Sequence, residues 1–329
     1  MTYFIHPKHM SVNYPRNATN KDLIHENEDF QRPLNEPTSM SYFLQRIRFA
    51  EICRSIVDHL SPWVYDIENN NYDDVVFLDE KIETFLKELP IFLCLDEKSR
   101  KASEEIDQTL PQISIQRYIM NVSVHCRRIK LNQPYLIRGS LDRRFAYSRE
   151  VCLRSARAVI HIKRLLENEK SSFGSTHQRL FMIIHHLFLA AIVLVMDVCF
   201  TRIEGHEEQR RVEVMSVCKM LEDCKGQSVV AGKFLESLKD VLRKHKVSML
   251  SATPDTPSAD ESSVTVASAV WDQSDDSTAQ RDDMSATKEI PLPSDFDFDQ
   301  TWQSYVDFGH NLDMPNWDHL FADLDSCGT

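Results

Sequence analysis

The sequence predicts an all-α protein: a helical bundle regulatory domain, then a disordered linker and an acidic C-terminal tail. Three observations carry that expectation. Glycine is scarce, at seven in 329 residues, about 2% against a usual share of roughly 7%. Hairpin-rich sheets and dinucleotide-binding βαβ units consume glycine in turns with φ > 0, and four of the seven (Gly139, Gly174, Gly205, Gly226) fall between apolar-periodic runs, where helix ends belong. Apolar residues recur at three- and four-residue spacing from Met40 to Leu242, the period of a helix with one buried face. Finally, the charge is uneven. From Ser251 to Thr329 there are 17 acidic and 2 basic residues, leaving 33 acidic and 36 basic elsewhere, so the net charge of −12 belongs to the tail.

Residues 1–37 are polar and punctuated by Pro7, Pro15, Pro33 and Pro37, an extended lead-in. Residues 38–246 form the helical domain. Thr38-Ser39 offers an N-cap for a long helix whose stripe is Met40, Phe43, Leu44, Ile47, Ala50, Cys53, Ile56, Val57 and Leu60, stopped at Ser61-Pro62. Asp73-Asp74 opens a second helix through Leu78, Ile82, Phe85, Leu86 and Leu89, ended by Pro90. A third stripe is Ile115, Tyr118, Ile119, Val122, Cys126 and Ile129, ended near Pro134. Ser148 reads as the cap of a fourth helix that buries Cys152, Ala156, Val159, Ile160 and Leu166. Leu180 to Val195 is apolar nearly all round but carries His185-His186 and falls short of the roughly 20 residues a membrane span needs. It reads as a central buried helix. Two amphipathic helices follow, through Val214, Cys218 and Leu221, then Val230, Phe234, Leu238, Val241 and Leu242. Residues 247–294, rich in Ser, Thr, Asp and Ala, cannot bury enough apolar surface to offset their ordering entropy and are expected to be disordered. Residues 295–329 set large aromatics among aspartates.

Composition and motifs argue against several kinds of chemistry. The eight cysteines are scattered with no C-x-x-C pair, so no zinc knuckle is expected and the thiols read as small core residues. The first ten residues lack the apolar core of a secretory signal; a reducing interior is expected, and the sequons at Asn17 and Asn121 are expected to carry no glycan. No phosphate-binding glycine loop, G-x-S-x-G or H-E-x-x-H occurs. A terpene cyclase would need a D-D-x-x-D/E, and Asp73-Asp74-Val75-Val76-Phe77 lacks the last carboxylate. His185 and His186, adjacent on a helix, point about 100° apart and cannot share one ion; with His125 and His161 they read as satisfied structural histidines. No enzyme, cofactor or metal site is expected.

Two charged features remain. Arg127 to Arg164 holds eleven Lys or Arg against Asp142 and Glu150. With no recognition helix beside it, this stretch reads as the outer faces of two helices whose charges pair with acids elsewhere, or as a surface that holds the acidic tail in an off state. In the tail, acidic-hydrophobic alternation is the composition of activation segments. Carboxylates keep the chain open, so that Phe296, Phe298, Trp302, Trp317, Leu320, Phe321 and Leu324 stay available to a partner's apolar groove with a basic rim. The other reading docks Trp317 to Leu324 on the protein's own body.

Several segments together resemble one family, the fungal-specific transcription factors of the binuclear zinc-cluster type. Pro15-Arg16-Asn17-Ala18-Thr19-Asn20-Lys21-Asp22-Leu23 resembles their P-x-N-x-x-D-x-D-L lead-in, and Pro37-Thr38-Ser39-Met40-Ser41-Tyr42 the helix after it. Leu131-Asn132-Gln133-Pro134-Tyr135-Leu136, then Ser148-Arg149, Cys152-Leu153 and Ala156-Arg157, is similar to the signature of their middle homology region, and Trp317-Asp318-His319-Leu320-Phe321 to a common tail. The resemblance implies a nuclear regulator of a metabolic pathway or biosynthetic gene cluster. It implies an activator that reaches transcriptional co-regulators through its tail, with homo- or hetero-association and no membrane. The six-cysteine cluster is not in this sequence, so zinc is expected only where such an N-terminal cluster exists, and no direct DNA contact is expected from this chain. The alternative is a truncated homologue that inhibits full-length regulators.

Overall fold

In the computed structural model, residues 9, 11–25, 30–60, 70–168, 176–201, 207–226, 228–245 and 247 are described. All lie in the first of two compact units, Met1–Thr256 and Pro257–Thr329. Apart from Val247, the linker 247–294 and the activation segment 295–329 expected from the sequence lie outside the described residues.

Among the described residues there are eleven α-helices and no strand: α1 Asn20–His25, α2 Ser41–His59, α3 Tyr72–Lys87, α4 Glu97–Ala102, α5 Glu104–Thr109, α6 Gln112–Asn132, α7 Arg138–Leu141, α8 Ala146–Asn168, α9 Thr176–Phe200, α10 Glu207–Cys224 and α11 Val229–Lys244. The all-α expectation holds. The seven long helices are those the apolar periods mark; α1, α4, α5 and α7 are too short to show a period.

One core lies between α2, α3 and α6, built from Ile56, Leu60, Val75, Leu78, Ile82, Phe85, Met120 and Val124 and sealed by Phe92 and Leu93 of the 3-10 turn Ile91–Leu93. Each fully buried side chain of this size stabilises the fold by about 1.5–3 kcal/mol. Helix α6 packs against α3, α8, α9 and α2, so it buries more than the one stripe read from the sequence: Ile113, Met120, Val124 and Leu131 are as deeply set as Tyr118 and Ile129. The turn before α6 is tied to it by Arg117, whose Nε donates to Phe92 O (2.8 Å) while its other nitrogens grip Asp107 of α5 (3.0 and 2.7 Å). Helix α9 packs against α8, α10, α11 and α6. Its residues Leu187 to Met196 are buried without a break, which explains apolar character all round. Phe188 stacks on Phe234 of α11 with ring centroids 3.9 Å apart. No helix among the described residues is long and apolar enough to cross a membrane.

The lead-in is more structured than an extended reading allowed. Asn17, 2% exposed, donates its amide to the carbonyls of Arg32, Pro33 and Glu36 (3.3, 2.8 and 3.1 Å) and accepts from the hydroxyls of Thr38 and Ser41 (2.7 and 3.3 Å). One side chain therefore closes the segment onto the start of α2. Asp22 caps α1 through Thr19 and takes Arg32 bidentately (2.7 and 2.6 Å); hydrogen bonds from Arg32 and Thr19 hold its carboxyl far below the usual carboxylate range. Thr38 Oγ1 accepts from Met40 N (3.0 Å) and Ser41 Oγ from Thr38 N (2.8 Å), reciprocal bonds just ahead of α2, whose N-cap, Met40, has no side-chain cap of its own. Asn17 and Asn121, both within sequons, have buried amides engaged by carbonyls.

Helix α7 passes so close to the start of α8 that only glycine fits at the crossing. A Cβ on Gly139 would lie 2.6 Å from Phe145 O and 2.7 Å from Arg149 Cβ. We predict that Gly139→Ala destabilises the protein by about 1–3 kcal/mol, read as a lowered midpoint in thermal and urea unfolding; Gly226→Ala, with open space around it, should leave both midpoints within error.

Candidate functional site

The residues the sequence nominates for partner binding, Phe296, Phe298, Trp302, Trp317, Leu320, Phe321 and Leu324, lie outside the described residues. What the described body does show is a buried polar ring that joins three helices and uses the segment most like a family signature. Asp79 of α3 is fully buried. Its Oδ1 accepts from Arg128 Nε (2.9 Å) and Asn132 Nδ2 (3.0 Å), both on α6, and its Oδ2 from Arg128 Nη2 (2.6 Å) and Tyr147 Oη (2.8 Å) of α8. Arg128 also reaches Glu83 one turn along α3 (2.7 Å). Asn132 Oδ1 accepts from Ser148 Oγ (2.7 Å), which is bonded to Tyr72 Oη (3.1 Å) at the start of α3. Burial works against the Arg128 charge, but hydrogen bonds and attraction from Asp79 and Glu83 outweigh it and raise its pKa. Burial, then the bond to Asp79, pushes the Tyr147 phenol up.

Two expectations are corrected here. Ser148 is not a cap: α8 begins at Ala146, and the Ser148 hydroxyl sits inside the protein. The basic stretch does not merely coat outer faces. Arg128 and Lys163 are buried, the latter against Glu167 (2.6 Å). Arg149 grips buried Asp197 of α9 (2.7 Å) and Arg157 pairs with Glu213 of α10 (3.0 Å). That these charges pair with acids elsewhere is what the structure shows. Asp73, at the start of α3, is exposed next to the Asn71 cap, far from any arrangement of carboxylates on one ion.

The remaining signature residues also pack. Tyr135 stacks obliquely with Tyr72 and Phe145 (ring centroids 4.9 and 5.3 Å apart), Cys152 Sγ points at Ile129 O (3.8 Å), and Ala156 is fully buried. Both Asp79 oxygens are occupied and sealed from solvent, so this carboxylate orients helices and does not meet a substrate. Because removal of one partner strands a buried charge, we predict that Asp79→Leu costs about 3–5 kcal/mol in urea unfolding. Asp79→Leu combined with Arg128→Met should cost clearly less than the two single changes added together.

The histidines differ from the satisfied reading: Nδ1 of His125 and of His186 is buried with no protein hydrogen-bond partner among the described residues. Burial, then the Arg128 and Arg154 charges, lowers His125 to about 4. Burial and Lys130 lower His185 to about 4, and burial, His185 and Lys130 lower His186 to about 3. Folded, these imidazoles stay neutral while the unfolded chain takes up protons near pH 6.5, so stability falls as pH drops from about 6.5 toward 4. Denaturant titrations across that window should show the loss, and His186→Phe should flatten the slope; an unchanged slope would refute the assignment to His186.

An open groove of about 610 Å³ runs between α2 and α3, past Arg48, Phe77, Lys81 and Glu88. Within it Arg48 pairs with Glu88 (2.8 Å), and the Lys81 ammonium lies over the Phe77 ring (4.5 Å). No group of three or more His, Cys, Asp or Glu among the described residues could hold a metal ion.

Sequence comparison supplies relatives. The chain is 42% identical over 99% of its length to a protein of Aspergillus flavus named "Probable transcription factor lepB", of which it spans 58%. It is 32% identical over 74% of its length to the "Agnestins biosynthesis cluster transcription factor AgnL11" of Paecilomyces divaricatus, spanning 34% of that protein. It is 24% identical over 93% of its length to the "Zn(2)-C6 fungal-type transcription factor mpsB" of Macrophomina phaseolina, spanning 44% of it. No protein-family model matches the chain, and no solved structure matches it significantly. Over 99% of its residues the chain is thus similar to a protein named as a probable fungal transcription factor, of whose length it spans less than two thirds.

Proposed function

We propose that this chain regulates transcription of a fungal metabolic pathway or biosynthetic gene cluster, acting in the nucleus without catalysis. In this reading the helical body is a rigid scaffold and the acidic, aromatic segment 295–329 reaches transcriptional co-regulators. The observation that carries it is the 42% identity, over 99% of the chain, to a named fungal transcription factor; a relative named for the agnestins biosynthesis cluster supports the gene-cluster setting. The buried ring around Asp79 fits the scaffold role, because its polar groups are engaged with one another.

For the acidic segment the mechanism is physical. Seven aspartates between Asp297 and Asp325 repel one another and hold Trp302, Trp317, Phe321 and their neighbours in water. A partner with an apolar groove and basic rim gains both the aromatic burial and the charge pairing when the segment closes on it. Residues 295–329 fused to a foreign DNA-binding domain should activate a reporter in yeast, and Trp317→Ala with Phe321→Ala should remove most of the signal. A silent fusion would instead favour a chain that inhibits other regulators by association.

A further inference from the structure

In the lead-in, Arg16-Asn17-Ala18-Thr19 sets an arginine three residues before a threonine hydroxyl. Residues 11–19 form neither helix nor strand, and Val12 and Tyr14 stand largely in solvent. In extended chain that spacing is about 10 Å, the layout taken by protein kinases whose substrate groove holds a carboxylate for an upstream arginine.

Thr19, half-buried, ends a latch that ties the lead-in to α2. Its backbone N and its hydroxyl both donate to Asp22 Oδ2 (2.7 and 2.8 Å), and Asp22 N returns a long bond to Thr19 Oγ1 (3.4 Å). The same buried carboxylate holds Arg32 through Nε and Nη2 (2.7 and 2.6 Å). Arg32 N donates to Asn17 O (2.7 Å), and the Asn17 side chain accepts from Thr38 and Ser41 at the start of α2 (2.7 and 3.3 Å). A change at the Thr19 hydroxyl is therefore passed through Asp22, Arg32 and Asn17 to the first turn of α2.

A phosphate there replaces a donor to Asp22 with a group of about −2 charge, attached to an oxygen 2.8 Å from the carboxylate. Arg32 already faces two carboxylates, Asp22 and Glu36, so the added anion leaves a surplus of negative charge that burial of Asp22 makes costly. The closed latch also keeps Arg16 Nη1 buried with no hydrogen-bond partner among the described residues. Opening relieves that cost, and the freed guanidinium, three residues away, can pair with the phosphate.

We propose that Thr19 is a phosphorylation site for an arginine-directed protein kinase and that the phosphate releases the lead-in from α2. In the transfer the Thr19 oxygen bonds to the γ-phosphorus of magnesium ATP. The bond from that phosphorus to the β,γ-bridging oxygen breaks with its electron pair leaving on ADP, and the hydroxyl proton passes to the kinase's catalytic carboxylate.

The test incubates the full chain with magnesium ATP and the catalytic domain of a calmodulin-dependent protein kinase, which selects arginine three residues before its acceptor. Peptide mass spectrometry should place phosphate on Thr19, with the rate lowered about tenfold or more in Arg16→Gln. A synthetic peptide of residues 11–25 with the same change reads the arginine requirement where folding plays no part. Limited trypsin digestion then reads the latch. Cleavage after exposed Lys21 should be about tenfold faster in the phosphorylated chain, because it follows the open population, and Thr19→Glu should move it in the same direction. Phosphorylation of the peptide but not of the full chain, phosphate at other residues only, an unchanged rate in both Arg16→Gln forms, or cleavage after Lys21 no faster once Thr19 is modified would each overturn the proposal.

Discussion

The buried ion pair between Asp79 and Arg128 is the constraint on which the rest of the body depends. Taking both charges out of water costs several kcal/mol each even after relaxation, and their attraction offsets that only when every remaining lone pair and proton is engaged. Here the condition is met on the acid side by four hydrogen bonds from three residues. Those donors sit on α6 and α8, so satisfying one carboxylate fixes the rotation of α6 against α3 and the longitudinal position of α8 against both. Apolar packing alone is far less exacting: ridges of Leu, Ile and Val tolerate slippage that a carboxylate with four partners does not.

The consequence is that the segment most similar to a family signature is architecture. Asn132 and Ser148 relay the ring from α6 to α8, Tyr135 packs beneath it, and Arg149 and Arg157 carry the same helix onward to Asp197 of α9 and Glu213 of α10. A run of polar residues recurring in a helical protein invites a chemical interpretation. In this chain the polarity holds helices in register, and its members face inward or toward each other.

Helix periods were legible in the sequence because burial of one face imposes a repeat of 3.6 residues on any helix long enough to display it. Hence α2, α3, α6, α8, α9, α10 and α11 could be read, whereas α4, α5 and α7, of six, six and four residues, could not. Ser148 was misread as a cap for a related reason: a serine two residues inside a helix looks the same as one at its edge until the acceptor is known, and that acceptor, Asn132, is sixteen residues away. The partners of Arg128, Arg149 and Arg157 lie 49, 48 and 56 residues away, beyond the reach of any local pattern, so the sequence could suggest that these charges pair with distant acids but not with which ones. The lead-in misled because Pro15, Pro33 and Pro37 suggest open chain, while one amide, Asn17, does the closing. The orphaned nitrogens of His125 and His186 have no sequence signal whatever. The aromatic candidates of the tail rest on composition, since they fall outside the described residues.

Helix α8 carries the last step of the synthesis. Its inner side joins the ring with α3 and α6, and another side supplies Arg149 and Arg157 to α9 and α10. Most of its cations are thus neutralised within the body, and the near-balanced charge outside the tail, 36 basic against 33 acidic residues, has little left for a long polyanion. Turning helix α8 to present its cations differently would break the bonds of Tyr147 to Asp79 and of Arg149 to Asp197 together, so the pairing of its charges and the packing of its neighbours are one constraint.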